Sequence, residues 1–378
     1  AADAAVVVTD DFPAFFLPRM VDAAAGKLPV RLEAVDSNGL LPLAATDEEH
    51  ASAYHFRRRL QALLPEHLST FPAPHPLRGD PLSPAPPIAE RIRERWPPAE
   101  KKLLDGSGGA LSRLPVDHEV APIPDRGGTR AAVRRLERFL ERGLPRYADE
   151  GNDPDAEATS GLSPYLHWGH ISAHRIFRAL AEREGWSPAR LSGSADGSRE
   201  GWWGMSGNAE AFLDELVTWR ELGYHFCAHR DDYDRYESLP GWARKTLEAH
   251  ADDDRPHLYE REAFEGADTH DPLWNAAQRQ LRREGTIHNY LRMLWGKKIL
   301  EWTPDAHRAL EIMIELNNRW AVDGRDPNSY SGIFWCLGRF DRGWPERDVF
   351  GTVRYMSSAS TRRKRSLERY LERYGKEG

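Results

Sequence analysis

Three stretches of this 378-residue sequence combine polar and aromatic residues at spacings that suit chemistry. The first covers residues 158–166, where hydroxyl side chains and Gly161 precede Pro164. Proline fits the first turn of a helix, and Ser163 is a favourable N-cap. Because unpaired backbone amides at a helix N-terminus bind anions, this stretch predicts either a phosphate site or only a capped helix start.

The second stretch covers residues 212–221 and has the pattern of an amphipathic helix. Glu215 and Trp219 are four residues apart, so they share one face of that helix. A carboxylate beside an indole suits a pocket that stacks a flat group and hydrogen-bonds its polar edge. The alternative is a structural helix with Trp219 in the core and Glu215 in solvent, and the spacing taken alone favours that alternative.

The third stretch, residues 269–335, is dense in indoles, amides and charges. Its notable residues are Trp274, Asn289, Arg292, Met293, Trp295, Trp302, Asn317, Asn318 and Trp320, followed by the run 323–328. Amide, carboxylate and guanidinium groups on buried helices need hydrogen-bond partners, and a polar ligand could supply them. The run Asp-Gly-Arg-Asp-Pro-Asn at 323–328 also has the composition of a turn.

The composition of the sequence excludes several classes of protein. It is 40% hydrophobic and 29% charged, with a net charge of −7 and two cysteines. These values exclude a disordered chain, a uniformly basic nucleic-acid binder, a disulfide framework and a cysteine-rich metal site. Because no apolar run reaches the roughly 20 residues of a membrane helix and no basic-then-apolar leader opens the sequence, we expect a cytoplasmic location.

The start of the chain has the pattern of one strand–helix–strand unit. The β-branched run at 5–9 predicts a buried strand, 18–25 a helix and 29–35 a second strand. Such a unit is typical of a parallel α/β sheet. Prolines crowd the sequence just after residue 70 and indicate a linker.

From residue 128 onward, apolar residues recur at spacings of three and four, which is typical of helices. The predicted helices cover 131–144, 171–184, 209–227, 274–281, 286–301, 304–320 and 366–374, with a Gly- and Ser-rich loop at 186–208. We therefore expect an α/β part over 1–70, a linker over 71–127 and an all-helical domain over 128–378.

The three stretches together resemble the flavin-binding helical domain of the photolyase/cryptochrome family, and most closely that of class II cyclobutane pyrimidine dimer photolyases. The resemblance rests on Leu-Trp-Asn-Ala-Ala-Gln at 273–278, Arg-Met-Leu-Trp-Gly-Lys-Lys-Ile-Leu-Glu-Trp at 292–302 and Asp-Gly-Arg-Asp-Pro-Asn at 323–328. It implies a partial, Rossmann-like parallel sheet of the antenna-type domain, followed by a larger all-α domain that binds FAD. The antenna chromophore is unknown.

The resemblance implies a role in cofactor binding for several residues of the helical domain. Arg292 and Asp323 match a salt-bridged pair beside the isoalloxazine, and Asn317 matches the residue that faces flavin N5. The positions that match contacts to the flavin chain and its phosphates are Tyr147, Thr159, Ser160, Gly161, Leu162 and Ser163. For the first stretch, the resemblance favours the phosphate site over the simple cap.

The resemblance also implies a catalytic pocket and a path for electrons. Glu215, Trp219, Met293 and Trp335 match the pocket that receives a dimer flipped out of the duplex. Trp295, Trp274 and Trp302 match a chain of indoles between flavin and surface, which explains part of an uneven distribution in which only one of 13 tryptophans precedes residue 160. In that mechanism light excites reduced FAD, one electron splits the cyclobutane ring, and the electron returns, with no metal involved.

Damaged DNA is the expected partner of a monomeric protein, and cations near the pocket would bind its phosphates. The best candidates are consecutive near the end of the sequence: Arg362, Arg363, Lys364 and Arg365. Arg342 and Arg325 are weaker candidates, and a solvated basic tail is the alternative.

Two other functions fit the same scaffold. A cryptochrome-like photoreceptor would keep FAD and signal to a partner, and another flavoprotein of this fold would act on a small molecule. Retention of Glu215, Trp219, Met293 and Trp335 favours repair, because a sensor has no need of a dimer pocket.

Overall fold

The structure, a computed structural model, describes residues 4–376 apart from 70, 74, 75, 80–83 and 107. Its contacts divide the chain into one compact unit made of Ala1–Thr70 and Ile123–Gly378, and a second made of Phe71–Pro122. The division into 1–70, 71–127 and 128–378 stays a prediction of the sequence.

The chain begins with the predicted strand–helix–strand unit. Strands β1 (Val6–Asp10) and β2 (Arg31–Val35) pair in parallel with Val6 opposite Arg31, and α1 (Leu17–Ala25) connects them. The prediction of a buried strand was wrong, because Val6 and Val8 are 42% and 59% exposed. A β-branched run predicts a strand, but its pattern cannot tell a surface sheet from a covered one.

The rest of the described chain is helical, which confirms the all-α prediction. Its first helices are α2 (Ala53–His67), α3 (Glu90–Arg95), α4 (Lys101–Leu104), α5 (Gly108–Leu111), α6 (Thr129–Arg138), α7 (Tyr147–Glu150), α8 (Ser163–His167), α9 (Ala173–Arg183) and α10 (Gly207–Leu213). They are followed by α11 (Arg220–Ala228), α12 (Gly241–Ala249), α13 (Arg261–Gly266), α14 (Pro272–Glu284), α15 (Asn289–Glu301), α16 (Ala306–Trp320), α17 (Pro327–Cys336), α18 (Ser358–Lys364) and α19 (Glu368–Tyr374).

Helix α2 was missed by the sequence analysis although its signals are present. Ser52 caps its N-terminus by accepting a hydrogen bond from the His55 amide at 3.4 Å. Phe56, Leu60 and Leu64 recur at a spacing of four and are buried.

Two predicted helices are interrupted by π-helical segments. The predicted helix 131–144 changes to π-helix at Phe139–Gly143, and the predicted helix 209–227 does so at Asp214–Trp219. A π-turn holds one more residue than an α-turn and is frequent at functional sites. Both segments line the cavity described below.

A buried carboxylate ties the loop after β2 to the helical part of the chain. Glu221 on α11 is 1% exposed and accepts hydrogen bonds from the amides of Leu40 (2.7 Å) and Leu41 (3.0 Å). Gly39 is required beside them, because a Cβ at this position would lie 2.5 Å from the Glu221 carboxyl carbon. Burial nevertheless raises the pKa of Glu221 to about 7.

We expect Glu221→Ala to lower the free energy of unfolding by about 2–4 kcal/mol, because two buried amides lose their acceptor. Denaturant unfolding measures the change. Glu137→Ala on the exposed side of α6 is the matched control and should change stability by less than about 0.5 kcal/mol. Equal losses in the two variants would contradict the role given to Glu221.

Candidate active-site cavity

A cavity of about 1760 Å³ opens into the helical part of the chain. Its volume exceeds the roughly 300–1,000 Å³ of ordinary small-molecule sites, so it can hold a large ligand or two ligands side by side. The predicted cofactor and pocket residues that line it are Tyr147, Thr159, Ser160, Gly161, Leu162, Ser163, Glu215, Trp219, Arg292, Met293, Asp323 and Trp335. The structure therefore brings together residues that are up to 188 positions apart (147 to 335) in the sequence.

The stretch 158–166 does not begin a long capped helix. Ser163 is the first residue of α8, the N-cap is Leu162, and the helix has five residues. A helix of five residues offers little dipole, so a phosphate at this position would depend mainly on side chains. Arg135 on α6 supplies the cation, since its Nε donates to the Ser160 carbonyl at 2.9 Å. Gly161 has φ +61°, and a Cβ there would lie 2.1 Å from the Arg135 guanidinium, so only glycine leaves this cradle open.

Arg292, Asp323 and Asn317 form the predicted group at the cavity wall. Arg292 Nη2 lies 3.7 Å from the Asp323 carboxylate, and Arg292 Nη1 lies 3.5 Å from Asn317 Oδ1. Arg292 and Asp323 line the cavity, whereas Asn317 is 4% exposed and lies directly behind Arg292. Among the described residues, the buried Asn317 Nδ2 and Asp323 Oδ1 have no hydrogen-bond partner, although Oδ1 is the oxygen that faces Arg292 Nη2. A polar ligand that reaches them could supply a hydrogen bond.

Glu215 and Trp219 both line the cavity, and both belong to the π-helical segment. Asp214 anchors that segment to α2, because Arg57 Nε donates to its carboxylate at 2.8 Å; Arg57 Nη2 is also 2.7 Å away but outside hydrogen-bond geometry. The Glu215 side chain is exposed to solvent within the cavity, whose walls still enclose the carboxyl group. Burial, with the charge of Asp214 second, raises its pKa to about 7. The same surroundings and both carboxylates raise the pKa of the Tyr147 phenol.

Met293 and Trp335 complete the predicted pocket. Both are half-buried, and Met293 lies one residue after Arg292 on α15. Two cations lie over the Trp335 ring: Lys297 Nζ is 5.0 Å and Arg354 Cζ is 5.3 Å from its centroid.

Trp295, Trp274 and Trp302 form a chain of contacts in that order. The rings of Trp295 and Trp274 are stacked with centroids 6.5 Å apart, and those of Trp274 and Trp302 are 6.0 Å apart at 66°. None of the three lines the cavity. All three indoles are at most 3% exposed, and the outer ring, Trp302, is covered by Tyr259 and His270. A role of this chain in electron transfer stays a prediction.

The predicted DNA-binding cations do not form one group. Arg362, Arg363 and Lys364 are exposed in the last turn of α18, outside the cavity lining. The Arg365 guanidinium instead lies 4.8 Å from the centroid of the Tyr290 ring. Arg342 is exposed and lines the cavity, as expected of a residue at its mouth.

Sequence reasoning missed several residues of the cavity wall. Those with functional side chains include Arg57, Arg135, His288, Tyr290, Arg354 and Arg369. His288 has both ring nitrogens unpaired, and burial lowers its pKa to about 4, so it is a neutral hydrogen-bonding group. The motif at 292–302 could have suggested His288 and Tyr290, which lie at the start of the same helix. Arg57, Arg135, Arg354 and Arg369 lie in segments with no recognisable motif.

Comparison with known proteins decides the family. The chain is 36% identical to a deoxyribodipyrimidine photo-lyase of Methanothermobacter thermautotrophicus over 99% of its own length and 75% of that protein's. The chain belongs to the photolyase family. Photolyases of Potorous tridactylus and Oryza sativa are each 35% identical over 95% and 97% of the chain, which spans 62% and 69% of them. No protein-family model matches the sequence.

The fold of this photolyase chain is shared with a solved structure. It is similar to a bacterial class III photolyase from Agrobacterium tumefaciens, with a TM-score of 0.67 over 98% of the chain and 68% of that protein. The sequences are 19% identical, so this likeness shows the fold alone, and the class II resemblance stays a prediction.

Within the described residues, no helix is long and apolar enough to cross a membrane, and no three His, Cys, Asp or Glu side chains are grouped to hold a metal.

We expect Glu215 to titrate with a midpoint near 7 rather than at its ordinary value near 4.5. Because the folded pKa is raised, the carboxyl keeps its proton through the mildly acidic range and loses it as the pH rises through 7. Carboxyl-carbon NMR of the glutamate-labelled protein measures the midpoint, and Glu215→Gln identifies the resonance. A midpoint near 4.5 would contradict the enclosure assigned to this group.

Proposed function

We propose that this chain repairs cyclobutane pyrimidine dimers in DNA by light-driven electron transfer from FAD. One observation carries the proposal: a single cavity is lined both by the Gly161, Arg135 and Arg292 wall and by the Glu215, Trp219 and Trp335 wall. A cofactor and a flipped-out lesion can therefore lie in one enclosure, as transfer of an electron between them requires.

The first wall fits FAD. Arg135 and the hydroxyls of Thr159, Ser160 and Ser163 suit a pyrophosphate, with Gly161 leaving space for it. Arg292 and the unpaired amide of Asn317 suit the edge of an isoalloxazine, where a fixed cation favours a reduced, anionic ring. Reduced FAD, when bound and excited by light, supplies the electron that splits the dimer.

The second wall suits a pyrimidine pair. The half-buried indoles of Trp219 and Trp335 offer flat apolar surfaces on which unstacked bases can pack. Glu215, protonated below a pH of about 7, can donate to a carbonyl oxygen of the dimer and so stabilise the negative charge that it acquires. Arg342 at the mouth is placed to bind a DNA phosphate, and Arg362, Arg363 and Lys364, exposed on α18, are a separate candidate for phosphate contact.

The stacked indoles serve a separate step, the recovery of reduced cofactor after oxidation. Trp295 lies three residues after Arg292 on the same helix and contacts Trp274, which contacts Trp302. Electrons can pass along these three rings toward the cavity. A photoreceptor would need this chain as well, but it would not need the wall formed by Glu215, Trp219 and Trp335.

We expect Glu215→Ala to bind FAD and dimer-containing DNA but to repair several-fold fewer dimers per absorbed photon, because the dimer loses its proton donor. Repair by chemically reduced protein under calibrated light measures the yield. Glu215→Gln, which keeps a donor, should retain more activity than the alanine variant. Unchanged yield in both variants would exclude the assigned role.

We expect Trp295→Phe to block light-driven reduction of oxidised FAD while sparing repair by chemically reduced protein. Phenylalanine keeps the packing but is far harder to oxidise than an indole. Trp320→Phe is the matched control, since Trp320 is equally buried but donates to Glu265 outside the chain of three indoles. Parallel losses of photoreduction and repair in Trp295→Phe would refute the separation of the two steps.

A further inference from the structure

Lys297 on α15 is fully buried, with 0% of its surface exposed. Its Nζ donates a hydrogen bond to the Cys336 carbonyl at 2.7 Å and lies 5.0 Å from the centroid of the Trp335 ring. Among the described residues, no carboxylate lies within 4 Å of this ammonium. Lysine is rarely buried without such a partner, because an unpaired charge is costly in the protein interior.

The hydrogen bond alone does not explain this charge. Cys336 is the last residue of α17, and a cation at a helix C-terminus is favourable. A neutral donor could make the same bond without the cost of burying a charge. The ammonium also lies beside the Trp335 indole, which lines the cavity, and it feels the charges of Asp341 and Arg354.

The indoles of the molecule differ in the charge beside them. Trp335 has two cations near its ring: Lys297, and Arg354, which is paired with Asp341 at 3.6 Å and lies closer to Trp344. Lys297 is therefore the cation beside Trp335 that has no carboxylate within 4 Å among the described residues. In the described part of the chain, no lysine or arginine lies over Trp295 or Trp274. Trp302 has Lys298 at 5.4 Å, but that ammonium is paired with Glu301.

A nearby cation changes how readily an indole gives up an electron. Loss of an electron leaves the ring positive, and a second positive charge at 5 Å opposes that loss, most strongly where water is excluded. The cation also stabilises the neutral ring through its quadrupole. Trp335 is therefore harder to oxidise than Trp295.

We propose that Lys297 acts through Trp335 and keeps this indole from giving an electron to the excited cofactor, so that the electron comes from Trp295 instead. The inference rests on the proposed function. Without the charge of Lys297, one electron would pass from Trp335 to the excited cofactor. The same electron would then return to Trp335, so that no cofactor would stay reduced. An electron from Trp295 is replaced by one from Trp274, and the positive charge moves away.

The test compares two variants of the FAD-loaded protein. Lys297→Met removes both the charge and the hydrogen bond, whereas Lys297→Gln removes the charge and keeps a donor for the Cys336 carbonyl. Transient absorption after a light pulse measures the yield of long-lived reduced cofactor and the fast-returning tryptophan radical. We expect this yield to fall about threefold in both variants, and Trp335→Phe combined with either one to restore it.

Two results would overturn the proposal. The first is an unchanged yield in both variants. The second is a fall in Lys297→Met alone, or a fall that Trp335→Phe does not restore, since these would show that Lys297 only caps α17. Lys298→Gln, whose charge is already paired, is the matched control and should leave the fast radical of Trp335 undetected.

The pH dependence of the same yield in the wild-type protein is a second test of the role of Lys297. Burial lowers its pKa to about 8, with the Cys336 thiol and Asp341 opposing the shift and Arg354 adding to it. As the pH rises through 8, the wild-type yield should fall toward that of Lys297→Gln, and Trp335→Phe should not show this fall. A pH-independent yield would contradict the proposal.

The apoprotein gives an independent readout of the buried charge. Because the folded pKa lies below the ordinary value of 10.5, the stability of the wild type relative to Lys297→Met should rise between pH 8 and 10.5. A difference between the two proteins that does not change with pH would show that Lys297 is not a buried cation. Failure of the proposed function would give a different result from failure of this proposal. A protein that does not retain FAD or does not repair dimers would contradict the proposed function itself, whatever the charge of Lys297.

Discussion

A wide cavity inside a helical unit is the constraint on which the rest of the structure depends. Protein interiors are normally close-packed, so a cavity of about 1760 Å³ must be held open by residues fixed from behind. α15 shows how this is done: Leu294 and Ile299 are buried in the core, whereas Arg292 and Met293 face the cavity. One helix thus separates a packed core from a polar enclosure.

The buried ion pair between Arg57 and Asp214 fixes the part of the cavity wall that carries Glu215 and Trp219. It joins α2 to the π-helical segment, and both side chains of the pair are largely buried. Breaking such a pair from one side leaves an uncompensated buried charge, which is strongly destabilising. Burial is the main cause of the raised pKa of Glu215; the charge of the preceding Asp214 adds to the shift, whereas the Arg57 cation of the same ion pair opposes it. Structure and acid strength are therefore coupled at this point.

The sequence predicted the α/β start, the helical remainder and part of the cavity wall, because Gly161, Arg292 and Asp323 lie in specific motifs. It could not predict the π-turn at Asp214–Trp219, since the apolar spacing of that stretch fits an α-helix equally well. Arg135 and Arg57 were missed for another reason: an arginine on an amphipathic helix shows no sign in sequence of the distant residue that it contacts. Burial of Trp302 depends on packing between helices, which periodicity does not contain.

The central claim is that one cavity couples excited FAD to a pyrimidine dimer. The most direct measurement is the recovery of thymine absorbance in UV-irradiated oligothymidylate, with chemically reduced protein under blue light and an identical sample kept dark. The account predicts recovery in the light alone, with many dimers split per protein molecule. No recovery in the light from protein that carries FAD and binds the damaged strand would contradict it.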